Sequence, residues 1–447
     1  MRSLFKRTLP AVLAGTALLA ASAAALAADP AATPSDDIQK QLNDLQAKVS
    51  QLQDQQKQND QATINSVLSD AHQRSLNLAD SVPFGTNWEA GKFSLRSEDG
   101  NFVLHPWFQL QFRGVANYRD DVAGESDTAS GFELRRMKFG VDGNLYYKDT
   151  TYLFNWATDR NTGNLVLEEA WVRTKFADDW SIRGGQLKDP FAHESIVSSK
   201  KLLAADRTLV TDFFTGGDNF VQGVALGYQH DALQTEVALT DGSNEANRNF
   251  QDFPTNAWDY GVAGRAQYKL MGDWKDYDQF SAMKVKNDLL VIGGGVDFSQ
   301  AGNTNQILHT VDAQYSSTTG LGVFGALYGR YTMNSPKNGL TTPAAENDTY
   351  DWGAVAQVSY LIPDTKWEPF ARYDYLGFDS DTVAANVEQH VHEITAGVNY
   401  YMHGHDAKFT LDVMYLPNGS PVSDSGSDVL SSTDDEIVVR GQFQLLL

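Results

Sequence analysis

The sequence predicts an all-β chain, a 16-stranded antiparallel transmembrane β-barrel with a short N-terminal coiled-coil helix. Three observations carry that expectation. From about Trp88 the chain alternates apolar and polar residues in segments of 8 to 16 residues, broken by Asp/Asn/Gly/Ser clusters. One parity of these segments is apolar, nearly free of charge and rich in rings near its ends, while the other is polar. Short connections interleave with longer polar ones, as when tight turns close one end of a barrel and loops the other.

The first element, residues 1–27, reads as a secretory signal peptide. Arg2, Lys6 and Arg7 precede the run LPAVLAGTALLAASAAALA, which ends in the small-residue pattern Ala25-Leu26-Ala27. Removing three cations and no acids takes the formal charge from -22 to -25, which argues against a nucleic-acid partner. No cysteine occurs, although export to an oxidising space would permit disulfides. Aromatics at 11% and 36 glycines against 13 prolines suit strands rather than helices.

Residues 28–84 read as a periplasmic coiled coil and linker. Ile38, Leu42, Leu45, Val49 and Leu52 are spaced 4, 3, 4, 3, a heptad seam. It is too short to hold chains together alone, and it also suits a single amphipathic helix lying on another surface.

Residues 85–447 form the expected outer-membrane barrel. Strands begin near residues 103, 131, 150, 166, 179, 220, 233, 259, 288, 306, 321, 350, 367, 391, 408 and 436. Outward sets include Tyr152, Phe154 and Trp156, then Trp352, Ala354, Ala356, Val358 and Tyr360, then Phe443 and Leu445. Rings flanking small aliphatics suit two lipid–water interfaces with hydrocarbon between. Alternation alone fits a soluble sandwich turned the other way. Export and the apolar last strand favour the barrel. The connection at 271–287 is too long for its short end and leaves room for a miscounted strand.

Eleven cations mark the expected pathway. Arg113, Arg136, Lys138, Arg173, Lys175, Arg183, Arg265, Arg330, Arg372 and Arg440 share the inward parity of their strands, and Lys188 joins them below. A basic wall of low dielectric attracts anions despite the acidic total, because many acids lie in loops. Equally open is a balanced lumen, since Asp142, Glu169, Glu236, Asp297, Asp312, Glu368, Asp374, Glu393 and Asp412 share that parity. The longest loop, residues 188–219, carries apolar residues that folding inward would cover, making His193, Lys200, Lys201 and Arg207 constriction residues. An extracellular flap or a subunit latch fits the same composition.

EAWVRTKF at 169–176, WSIRGGQLKDPFAHESIVSS at 180–199 and GGDNFVQGVALGY at 216–228, behind a signal peptide and a short coiled coil, resemble the phosphate-selective porin family, porins O and P. The likeness covers most of the barrel and concentrates in residues 130–245. It implies sixteen-stranded trimers whose third loop folds inward and whose basic lumen conducts phosphate or polyphosphate. By that likeness Lys188 and Arg136 are the leading basic candidates. The chain departs in having no dense run of alternating arginines down one strand.

The expected function is passive diffusion of small anions across the outer membrane of a Gram-negative-type cell, with membrane lipid and two further copies as partners. No cofactor motif is found. Scattered Ser and His suggest no hydrolase. His403/His405 and His390/His392 read as surface histidines, and residues 240–245 lack the calcium-loop pattern. The rivals are a general or sugar-selective porin, with Trp107 and Trp171 as stacking surfaces, and a barrel whose coiled coil tethers it to the cell wall.

Overall fold

The structure, a computed structural model, describes residues 40, 43–57, 85–89, 92–119, 127–249, 258–336, 346–383, 388–424, 426–432 and 434–447. The signal peptide and the linker expected between the seam and residue 84 lie outside these residues. The chain divides into two units, Met1–Val82 and Pro83–Leu447.

In the first unit, residues 43–57 form helix α1. Leu45, Val49 and Leu52, the part of the heptad seam that is described, are 64%, 43% and 63% exposed, so this chain alone does not cover them.

The second unit is a closed antiparallel sheet. A short hairpin, β1 (Gly85–Glu89) and β2 (Lys92–Arg96), precedes the barrel and touches it where Leu95 and Arg96 pair with Leu104 and Val103. The barrel strands follow in chain order: β3 (Val103–Arg119), β4 (Thr128–Asn144), β5 (Thr150–Thr158), β6 (Leu165–Lys175), β7 (Trp180–Lys188), β8 (Phe220–His230), β9 (Leu233–Thr240) and β10 (Tyr260–Met271). The second half comprises β11 (Leu289–Ala301), β12 (Thr304–Ser316), β13 (Leu321–Pro336), β14 (Glu346–Tyr360), β15 (Trp367–Gly377), β16 (His390–His403), β17 (Ala407–Leu416) and β18 (Glu436–Leu446). Each barrel strand pairs with its chain neighbour, and β18 closes the ring on β3 from Glu436↔Arg119 to Leu446↔Gln109. All sixteen expected barrel strands are present. The hairpin β1–β2 was not anticipated.

The barrel is apolar outside and polar inside, the reverse of a soluble fold. Val311 is 58% and Leu239 63% exposed, whereas Arg113, Gln111 and Arg440 are fully buried. In water such a surface would be costly; in hydrocarbon it is the stable arrangement, and closure leaves no strand edge unpaired. Rings cluster on this outer face in cross-strand pairs: Trp352 with Tyr375 and Trp367 with Tyr400, both 4.6 Å between centroids.

Inside, the barrel carries a second core. The loop at 189–219, hereafter the constriction loop, contains α2 (His193–Ile196), a 3-10 turn (Ser199–Lys201) and α3 (Leu209–Thr215). It folds inward and packs Leu202, Leu203, Leu209, Val210 and Phe214 against Phe324, Tyr328, Val355, Phe370 and Met414. Each fully buried Leu or Phe contributes roughly 1.5–3 kcal/mol, which makes the inward position more stable than an exposed flap. The Thr208 side chain caps α3 by accepting from the Thr211 amide, and Gly216 ends it in the left-handed region at φ 65°.

The connection at 272–288 also turns inward, from the opposite end. It forms no strand but a single turn of helix, α4 (Trp274–Tyr277), and buries Tyr277, Phe280, Ser281 and Ala282 in the lumen. Phe280 lies 4.8 Å from Phe324 between ring centroids.

Candidate functional site

The constriction loop crosses the lumen and fastens to the far wall through main-chain groups. Lys408 Nζ donates to Leu202 O (2.6 Å), Asn399 Nδ2 to Leu203 O (2.8 Å), Gln442 Nε2 to Ala205 O (3.1 Å), and the Ala205 amide donates to Asp412 (2.8 Å). Beside the loop, against β3–β10, lies a cavity of about 700 Å³ lined by six cations, Lys138, Arg173, Arg183, Lys188, Lys200 and Arg265, and five carboxylates, Asp142, Glu168, Glu169, Asp218 and Glu236. A second cavity of about 290 Å³ lies at the mouth beside Lys175.

Two aspartates of the constriction loop organise the basic residues. Asp206 accepts from Arg113 (2.8 Å), Arg135 (2.5 Å) and Arg136 (2.7 Å). Burial pushes this carboxyl up, yet the adjacent Arg135, Arg136 and Arg113 hold it well below the usual carboxylate range. Asp218 accepts from Arg207 (2.6 Å), Lys188 (3.1 Å) and Lys138 (3.4 Å), and the same opposition of burial by neighbouring cations holds it low.

Most cations read inward from the sequence therefore serve the loop. Arg113 also pairs with Asp428 (2.6 Å); Arg372 pairs with Glu393 (2.7 Å) and donates to Asp206 O (3.1 Å); Arg440 pairs with Asp412 (2.8 Å). These three are enclosed beneath the loop and lie off the main cavity. Arg136 is likewise covered. Arg265 pairs with Asp312 (2.7 Å) and donates to Phe191 O (3.1 Å), fixing the start of the loop. Arg330 pairs with Asp351 (2.6 Å) and lies 4.2 Å from the centre of the Phe213 ring.

On the open side, Lys138 pairs with Glu168 (2.7 Å) and Arg183 with Glu236. Lys188 donates to Ser195 O (2.6 Å) across the base of the loop. Arg173 donates to Ser181 Oγ (3.0 Å) and has no ion pair among the described residues. Lys175 is exposed at the mouth. Of the constriction-loop candidates, Lys200 lies over the Trp107 ring at 5.2 Å and lines the main cavity, Lys201 lines an adjoining cavity, and Arg207 is buried, donating to Glu194 O (3.1 Å) and Val197 O (3.0 Å). His193 is buried against Tyr277 and meets Gln314 Oε1 at 2.8 Å.

Strict alternation missed Arg135 and Glu168. Gln111 pairs with Arg136 while Phe112 pairs with Leu134, so Arg135 is an extra residue at a β-bulge, and both arginines reach Asp206. In the same way Asn155 pairs with Glu169 and Trp156 with Leu167, leaving Glu168 extra and both glutamates on the cavity. The like-charged doublets Arg135-Arg136 and Glu168-Glu169 were the available signal, because a regular strand would aim one of each pair at lipid.

A closed barrel, apolar outside and polar within, narrowed by a loop fastened to its inner wall, is the architecture of the outer-membrane porins. The family model of phosphate-selective porin O and P matches residues 108–445, and the chain belongs to that family. An uncharacterized protein of Aquifex aeolicus (strain VF5) is 24% identical over 264 residues, 56% of this chain and 62% of that relative, so the chain spans less than two thirds of its length. The fold is shared with the anion-selective porin from Comamonas acidovorans, at 10% identity and TM-score 0.54 over 77% of this chain and 99% of that one. It is shared too with a high-pH structure of Pseudomonas putida OprB, at 11% identity and TM-score 0.51 over 76% and 94%.

Proposed function

We propose that the protein gives small anions passive passage across the outer membrane, with phosphate or polyphosphate the solutes its family suggests. The observation that carries this is the cavity wall, where cations outnumber carboxylates and Arg173 keeps its charge uncompensated by an ion pair among the described residues. Weak, partly shared cationic sites favour conduction over trapping, because an ion held by one tight site leaves slowly. Export through the signal peptide at 1–27, assembly of three barrels and bundling of the exposed α1 seam in the periplasm complete the reading. The test is the reversal potential of the purified protein in a planar bilayer across a potassium chloride gradient. Anion preference at neutral pH is expected; cation preference overturns the proposal. Added phosphate reducing chloride current at low concentration would support a phosphate site.

A general porin is the second reading, favoured by one observation. Most cavity cations already share a carboxylate, which weakens the net field on a passing ion.

A further inference from the structure

We infer that the passage favours carboxylates bearing a flat apolar ring, of the benzoate kind, over compact carboxylates of the acetate kind; this deepens the channel reading and rests on it. Four tryptophans of the barrel lie where a porin needs them. Trp156, Trp180, Trp352 and Trp367 belong to the outward parity, and Trp180, Trp352 and Trp367 are well exposed on the face that meets lipid. Three others break the partition. Trp107 and Trp171 line the main cavity, and Trp274 lines the smaller one of about 460 Å³, which adjoins it through Ile196, Ser198, Lys200, Gln234 and Gln267.

Each of these three rings holds a cation near its face. Lys200 Nζ lies 5.2 Å from the centre of Trp107, the Arg183 guanidinium 5.4 Å from Trp171, and Lys269 Nζ 5.3 Å from Trp274. The partners come from different elements in every case: the constriction loop over β3, β7 over β6, and β10 beside α4. No local sequence repeat explains the recurrence.

The rings are held in place rather than merely tolerated. Trp171 Nε1 donates to Glu169 Oε1 (3.1 Å), and Trp274 Nε1 to Asp231 O (2.9 Å). Trp107 lies against Gly140, where a Cβ would fall 2.6 Å from its Cζ2, so the wall lacks a side chain at the point the indole occupies. An indole presents an apolar face on which a flat ring stacks. A ring-bearing carboxylate matches both parts of each pair, its ring on the indole and its charge beside the cation, and three successive pairs provide weak repeated sites along one path.

The experiment measures block of chloride current through the full-length protein in a planar bilayer by three probes: benzoate, acetate and neutral benzamide. Benzoate is expected to halve the current at a concentration roughly tenfold below either of the others, a ratio in keeping with one added aromatic contact. Replacing Trp107→Leu and Trp171→Leu together should bring benzoate level with acetate, in protein whose heat-resistant migration shows a folded barrel. Equal block by benzoate and acetate, or by benzoate and benzamide, in the unaltered protein overturns the inference whether or not the variant folds. An unaltered protein that carries no chloride current overturns the channel reading itself, a result distinguishable from either of these.

Discussion

The imidazole of His193, in the loop that enters from one end of the barrel, stacks on the phenol of Tyr277, in the connection that enters from the other, with centroids 3.9 Å apart and planes within 8°. The Tyr277 hydroxyl accepts from Arg265 (3.0 Å) and donates to Asp312 (3.3 Å), so the stack is tied to the wall at β10 and β12.

Replacing Tyr277→Ala should loosen both inward segments at once. Loss of a buried aromatic costs roughly 3–5 kcal/mol, and here the cost falls on loop position rather than on the barrel ladder. The expected outcome is higher single-channel conductance with more flicker noise, while Tyr277→Phe, which keeps the ring, stays close to the unaltered protein. Identical current traces for the alanine and phenylalanine variants would show that the stack holds nothing in place.

Acid should act through the same stack. Burial, with Arg265 adding to it and Asp312 opposing, pushes the His193 imidazole from 6.5 down to about 4. The fold thus favours the neutral ring: this contribution is complete above pH 6.5 and is lost as the pH falls through about 4. At full effect it amounts to roughly 3 kcal/mol. Urea unfolding in detergent at pH 7 and pH 4.5 should show a larger loss for the unaltered protein than for His193→Gln, which cannot titrate. Equal losses would remove His193 from the account.

Asp206→Asn tests the loop's ionic anchor. Arg135 and Arg136 would lose the carboxylate they share, while Arg113 keeps Asp428. Breaking a buried pair in this way costs roughly 3–5 kcal/mol. The loop should become accessible to protease, and the reversal potential should move toward stronger anion preference as the freed cations face the bore. A more cation-selective channel would contradict this.

The barrel was legible because lipid and water sort side chains at a period of two, and the lipid-facing half of that signal persists around the sheet. Trp352 and Phe443 could be placed outside from parity alone. The interior resisted the same logic for a physical reason. Once the constriction loop covers β12–β18, inward positions such as Leu308, Phe324, Val355 and Met414 become apolar, and strands there are greasy on both faces. Nor could parity say whether an inward cation would meet solute or carboxylate. Arg372 and Arg173 look alike in sequence, yet one is locked to Glu393 beneath the loop and the other faces the cavity. The inward turn of residues 272–288 left no periodic trace, because α4 is a single turn and its buried rings have no repeat to belong to.

Gly295 and Gly294, neighbours on β11, offer a paired test of where the constriction loop lies. A Cβ at Gly295 would fall 2.3 Å from Phe191 O, a backbone atom at the loop's entry, whereas one at Gly294 meets nothing nearer than Thr310 O at 3.2 Å. The two positions share the same strand and the same ladder, so Gly→Ala changes their conformational freedom alike. They differ in which side of the wall receives the methyl. Gly295→Ala must push the loop's entry off the wall, at roughly 1–3 kcal/mol for an overpacked site, and should raise conductance by widening the passage. Gly294→Ala should leave conductance near that of the unaltered protein. If both variants conduct alike, the loop does not rest on β11 in the membrane.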